Sequence, residues 1–283
     1  MRDYLNLTKP RISLLFAITG FAALLVEKSL WEKPFTLFII VSGIFLTGGS
    51  ANSFNQYFER DIDKQMERTA KKRPLPLGKI TPFHALIFSV VTGILGIFIL
   101  WYFGGIFSSF LGFFTIVFYS FYYTLWLKPK TPYNIVIGGA GGAMGPLIGW
   151  AAATGTLGWE AWVMFLIIFL WTPPHFWSLA LCYKEDYQKV SYPMMPLVKG
   201  DEATREQIFY YSAVLVPLSL CLYFSKNLGA FYVVLALLLG MMFVWMAFRL
   251  YTEKTVVLAK RLFQYSIGYL MLLFCVIILD ALF

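Results

Sequence analysis

Charge is what this sequence has least of. Only 13% of its 283 residues are Asp, Glu, Lys or Arg, about half the roughly 25% share of an ordinary soluble domain. Histidine occurs twice and cysteine three times. Cys182, Cys221 and Cys275 stand singly inside apolar runs with no metal-ligand spacing, so they read as small packing residues. Long polar segments are missing as well: the longest loops, 59–81 and 183–206, run to about two dozen residues. A separate soluble domain is therefore not expected, and residues 1–283 read as one membrane-embedded domain. No small-residue cleavage site follows the first apolar run, which speaks against a signal peptide. The absence of a transit peptide favours a bacterial plasma membrane over an organelle.

What fills the chain instead is hydrophobic (59%) and aromatic (19%), with a mean hydropathy of +0.69. These values exclude soluble, disordered and disulfide-rich classes and leave an all-α polytopic membrane protein. Runs near the span length of about 20 residues fall at 12–26, 35–58, 83–103, 106–127, 134–153, 160–182, 208–225, 229–250 and 262–282. That makes about nine transmembrane helices, with a tight hairpin expected at Gly104-Gly105. Alternating sides along the chain, twenty lysines and arginines collect on one face and only Lys28, Lys33 and Lys226 on the other. The positive-inside rule then puts the N-terminus in the cytoplasm and the C-terminus outside. The net charge of +8 is accounted for by these loops, and no nucleic-acid partner is expected.

Both long loops fall on the basic side, so chemistry is sought there. Asn52, Asn55, Glu59 and Asp63 end the second span, and on a helix they fan across about 80° of one face. Hard oxygens on such a stripe suit Mg²⁺ bridging to substrate phosphates. Spacing alone serves equally well for a solvated helix end with ion pairs one turn apart. The following loop carries Arg68, Lys71, Lys72 and Arg73, cations suited to phosphate oxygens or simply to anchoring at the membrane surface. At the other loop, Lys184-Glu185-Asp186 follows the sixth span and repeats the theme more weakly. Pro173-Pro174 should break or kink that span. His175, next in line, is a candidate haem ligand or proton acceptor, or else a hydrogen-bonded core residue. The overlapping GxxxG pairs of 138–149 read first as a close-packing helix face. With no strand before them they are not a nucleotide loop.

Taken together, these residues resemble the intramembrane prenyltransferases of the ubiquinone-biosynthesis type, and within them the haem O synthase (protoheme IX farnesyltransferase) family. The resemblance rests on Asn55-x-x-x-Glu59-x-x-x-Asp63, Met66-Glu67-Arg68-Thr69, Arg73-Pro74-Leu75, Leu7-Thr-Lys9-Pro10-Arg11, Tyr123-Thr-Leu-Trp126-Leu-Lys128, Asn134-Ile-Val-Ile-Gly-Gly139, Pro146-Leu-Ile-Gly-Trp150, Thr172-Pro-Pro-His175-Phe-Trp177 and Pro193-Met-Met-Pro196. It implies helices enclosing a central cavity and Mg²⁺-dependent farnesyl transfer from farnesyl diphosphate to the haem B vinyl group, with water addition, giving haem O. It implies a catalytic metal set of Asn55, Glu59, Asp63 and Asp186, with Glu185 in reserve. Arg68, Lys72, Arg73, Lys128 and Lys184 would bind the diphosphate, and His175 would bind haem. It also implies haem B, the lipid bilayer and a haem A synthase as partners. Two departures stand out: Glu59 replaces the usual Asp, and Val190 stands where a second acid would follow Asp186. A quinone-ring precursor as acceptor, or a transporter, are the alternatives. No internal repeat supports the latter.

Overall fold

The computed structural model describes residues 2–282, and the regular structure in them is helical throughout. Eight stretches are long and apolar enough to cross a membrane, and the longest, Pro82–Leu127, is folded in two at Gly105. There φ is 81°, a left-handed conformation that glycine adopts without penalty. Past the turn the chain runs back on itself: Ser108 Oγ donates to the Leu100 carbonyl (3.1 Å) and Ser109 Oγ to that of Ile97 (3.2 Å). Counting the two limbs separately gives nine segments among the described residues. They are α1 (Pro10–Glu27), α2 (Pro34–Phe58), α3 (82–104), α4 (106–127), α5 (Asn134–Thr154), α6 (Trp159–Cys182), α7 (Gly200–Phe224), α8 (Ala230–Glu253) and α9 (Val256–Leu282).

Helices α5 and α6 are central. Of their most apolar windows 78% and 67% are buried, against 28% for α7 and α8. The outer helices turn Phe83, Tyr102, Ile106 and Phe224 outward, an apolar surface too extensive for water and fit for lipid. Small residues bring α5 against α1: a Cβ at Gly149 would lie 2.3 Å from the Gly20 carbonyl oxygen. The glycine-rich stretch is thus a packing face.

One expectation needs correcting. Helix α6 does not break at Pro173-Pro174 but runs on through both residues to Cys182. Prolines remove N–H donors, yet α1, α5, α7 and α9 all pack on α6. Local hydroxyls meet neighbouring carbonyls, Thr172 Oγ1 that of Ile168 (2.8 Å) and Ser178 Oγ that of Pro174 (2.6 Å). The interruption falls instead at Met144 within α5, just before Pro146. Helix α7 also begins earlier than its apolar run, at Gly200, with Asp201 and Glu202 in its first turn, where acids favour the helix dipole.

Candidate active site

Helix α2 ends at Phe58, but its hydrogen-bond rhythm does not. The Glu59 N–H donates to the Asn55 carbonyl (3.0 Å) and the Asp63 N–H to the Glu59 carbonyl (2.8 Å). The short helix Arg60–Asp63 therefore keeps Asn55, Glu59 and Asp63 on one stripe, as their spacing predicts. Asn52, one turn earlier, is spent on packing: its amide donates to Ser13 Oγ and the Gly48 carbonyl.

Glu59 and Asp63 are only 3% and 2% exposed, and carboxylates so deep require charged or hydrogen-bonding partners. Two separate segments deliver them, and a third brings a lysine to the neighbouring Asn55. Lys128 Nζ meets Glu59 Oε1. Arg73 Nη1 bridges Glu59 Oε2 (3.3 Å) and Asp63 Oδ2. Lys9 Nζ donates to Asn55 Oδ1 at 2.8 Å. Lys128 arrives on a π-helix, Phe118–Leu127, a wide coil common at functional sites. On the same coil Thr124 Oγ1 accepts from the Asn55 amide (3.1 Å). Lys9 is held by a left-handed residue geometry (φ 49°) just before Pro10 opens α1. Arg73 is brought back by the loop itself, where Thr69 Oγ1 donates to the Asp63 carbonyl (2.9 Å) and accepts at its own carbonyl from Arg73 N–H (2.9 Å). The Tyr192 ring closes the cluster 4.8 Å beneath the Lys128 ammonium.

The electrostatics follow from this geometry. Burial works to raise the Glu59 carboxyl, but Lys128 and Arg73 outweigh it and hold the group at about 2. Burial, with Arg73 repelling beside it, pushes the Lys9 ammonium down to about 7 against the pull of Glu59 and Asp63. Asp63 is raised by its burial, with Arg73 opposing.

The second cluster is arranged differently. Asp186 is 6% exposed, and its carboxylate accepts main-chain N–H groups across the loops: Glu67 N on Oδ1 (3.3 Å) and Arg68 N on Oδ2 (3.1 Å). Lys189 stands 3.8 Å away. Lys184 turns aside to Asp201 (2.8 Å), and Glu185 and Lys72 are exposed. Arg68 lies over the Tyr183 ring at 6.0 Å, its Nε buried without a hydrogen-bond partner. His175 is buried within α6, its ring between Trp171 (4.4 Å) and Phe263 (4.7 Å), with Nδ1 hydrogen-bonded to Ser266 Oγ at 2.7 Å.

The structure thus brings together Asn55, Glu59, Asp63, Arg73 and Lys128, and sets Lys72, Lys184 and Glu185 apart. Lys9, Thr124 and Tyr192 join the site without having been singled out from the sequence. Each lies in or beside a quoted block, which was the available signal. Among the described residues no three His, Cys, Asp or Glu side chains converge to hold an ion. The oxygens of Asn55, Glu59 and Asp63 nevertheless form the hard donor set that Mg²⁺ takes.

Residues 14–275 match the UbiA prenyltransferase family. The chain belongs to that family. Relatives span the whole chain. "Protoheme IX farnesyltransferase" of Gloeobacter violaceus is 47% identical over 100% of this chain and 93% of its own length. That of Symbiobacterium thermophilum is 44% identical over 99% and 94%. Solved UbiA-type folds are more distant in sequence but close in shape. A digeranylgeranylglyceryl phosphate synthase superposes with a TM-score of 0.80 at 20% identity, covering 99% of this chain and 98% of that one. A UbiA homologue from Archaeoglobus fulgidus, bound to GPP and Mg²⁺, gives 0.73 at 14%, covering 97% and 99%. For this UbiA family member the likeness establishes the fold, an all-helical membrane bundle.

Proposed function

We propose that this UbiA family member transfers the farnesyl group of farnesyl diphosphate to the vinyl group of haem B, with addition of water, giving haem O and diphosphate. What carries the reading is the convergence, at one helix end, of three hard oxygen donors and three basic side chains in a chain whose full-length relatives bear that activity's name. Asn55, Glu59 and Asp63 would hold Mg²⁺, which when bound supplies positive charge to the departing diphosphate. Arg73 and Lys128 are placed to turn from the acids, and protonated Lys9 from Asn55, to phosphate oxygens. Arginine can do so bidentately. The allylic C–O bond breaks with its electron pair leaving on the diphosphate. The apolar interior of the bundle shields the resulting cation from water. The haem vinyl group then supplies electrons to the farnesyl carbon, and water, losing a proton, quenches the cation left on the side chain.

His175 is the residue we assign to haem. Its Nδ1 contact with Ser266 fixes the ring and leaves Nε2 for iron. The 20-to-3 lysine and arginine asymmetry supports a site on the cytoplasmic face of a bacterial plasma membrane. Transfer of the product to a haem A synthase is carried by the resemblance alone.

Incubating the purified protein with haem B, farnesyl diphosphate and Mg²⁺ should yield haem O, identified by mass. No product, together with turnover on a quinone-ring precursor, would overturn the acceptor. A His175→Ala protein whose haem absorption spectrum matches wild type would remove His175 as a ligand.

A further inference from the structure

We infer that Gly142 sets the length of prenyl chain the protein accepts: it lines the inner end of the chain's pocket, where the last isoprene unit of a farnesyl chain lies. The inference rests on the diphosphate reading above. The glycines of α5 are not equivalent. An added Cβ would run into the Tyr123 ring at Gly138 and lie 3.3 Å from Tyr119 Cβ at Gly141, both contacts on α4. At Gly139 it would lie 3.0 Å from Thr172 Cβ on α6. Gly142 is exposed, and a Cβ there would meet nothing within 4 Å. At 100° per residue Gly142 points between the α4 contacts and the α6 contact. The large exposed side chains of this segment, Ile137 and Tyr133, lie about 140° and about 180° round the helix from it. They face lipid, so the open space at Gly142 is inside the bundle.

One turn deeper that space closes. A Cβ at Gly145 would stand 2.7 Å from the Phe16 carbonyl oxygen, and one at Gly149 would stand 3.0 Å from the Gly20 carbonyl carbon, so α1 lies directly against α5 there. The other end of the space is the cation cluster. Asn134 opens α5 with its amide 3.9 Å from Met194 Sδ, and the Met194 N–H donates to the carbonyl of Tyr192 (2.7 Å), the residue whose ring lies beneath Lys128. Gly142 is about two turns further on, some ~12 Å along the helix axis. A farnesyl chain has three isoprene units of four main-chain carbons each, and at bond lengths near 1.5 Å it reaches roughly 15 Å from its diphosphate. A geranyl chain, with two units, reaches roughly 10 Å. With the diphosphate among Arg73, Lys128 and Lys9, the farnesyl tail arrives at Gly142 and the geranyl tail stops short of it.

The experiment titrates farnesyl diphosphate, geranyl diphosphate and inorganic diphosphate into the protein by calorimetry with Mg²⁺, without haem. Gly142→Leu should weaken farnesyl diphosphate about tenfold, the worth of nearly two buried methylene groups. Geranyl diphosphate and inorganic diphosphate should bind within about twofold of wild type. Gly142→Ala should move the farnesyl-to-geranyl ratio the same way by about threefold. It should also melt no lower than wild type, because its methyl group enters open space and alanine favours the helix. Gly138→Ala, which strikes the Tyr123 ring, should melt lower and serves as the control for a packing glycine. An unchanged farnesyl-to-geranyl ratio in Gly142→Leu would overturn the inference. So would an equal loss of all three ligands, or a Gly142→Ala protein as destabilised as Gly138→Ala. If Gly142→Leu does not fold, the ratio in Gly142→Ala still decides it. A wild-type protein that binds none of the three ligands would strike the diphosphate reading first, and this inference with it.

Discussion

The two acidic clusters face the same difficulty, a carboxylate drawn out of bulk water, and resolve it in opposite ways. Glu59 and Asp63 are neutralised by the tips of long side chains, Lys128 and Arg73, with Lys9 on the neighbouring amide. Asp186 is neutralised by main-chain N–H groups of Glu67 and Arg68. A flexible ammonium or guanidinium can leave an acid for a phosphate by rotating a few bonds. A main-chain amide cannot leave without unmaking its turn. The first arrangement suits exchange of partners and the second suits holding still.

The largest effect expected from that contrast is at Asp63. Asp63→Ala should cut haem O formation about a thousandfold while the helical circular dichroism is retained. Near-normal turnover would erase the distinction between the clusters. Lys128→Gln comes next, leaving the Glu59 carboxylate short of a partner. A loss of roughly 3 kcal/mol in stability, read from detergent unfolding, and about a hundredfold in activity are expected.

A third test uses protons. With its ammonium pushed down to about 7, Lys9 is mostly neutral at pH 8, and an arriving anion favours its charged form. Binding of farnesyl diphosphate at pH 8 should take up close to one proton, seen as a dependence of the calorimetric heat on the buffer, and Lys9→Met should abolish it. The unfolded chain keeps that proton up to its ordinary value of 10.5, so the same group makes folding more favourable as pH rises from about 7 towards 10.5. The smallest effects belong to Lys184→Ala and Glu185→Gln. Both residues lie outside either cluster, and activity should stay within about twofold.

Much of this was legible in the sequence, for physical reasons that differ by element. The spans could be read because bilayer thickness sets their length, and the turn at Gly104-Gly105 because glycine marks a reversal between two apolar runs. The stripe Asn55, Glu59, Asp63 was legible because helical hydrogen bonding carries past Phe58. That helix α6 runs on unbroken through Pro173-Pro174 was not legible, since whether a proline interrupts a helix depends on what packs around it. Lys9 and Tyr192 lie far along the chain from Asp63, so only the assembled bundle shows them as neighbours. Nor could spacing show that Asp186 accepts the main-chain N–H groups of Glu67 and Arg68, because that contact joins two loops far apart along the chain.

The π-helix at 118–127 has a consequence for how this site can change. In a coil of that kind each main-chain hydrogen bond spans five residues in place of four, as from the Lys128 N–H to the Tyr123 carbonyl (2.9 Å), so the winding of the segment helps decide that Lys128 faces Glu59. Deleting one residue within it should swing everything downstream by about 100°. Point substitutions in this segment adjust the site, whereas a single-residue deletion would turn Lys128 away from Glu59.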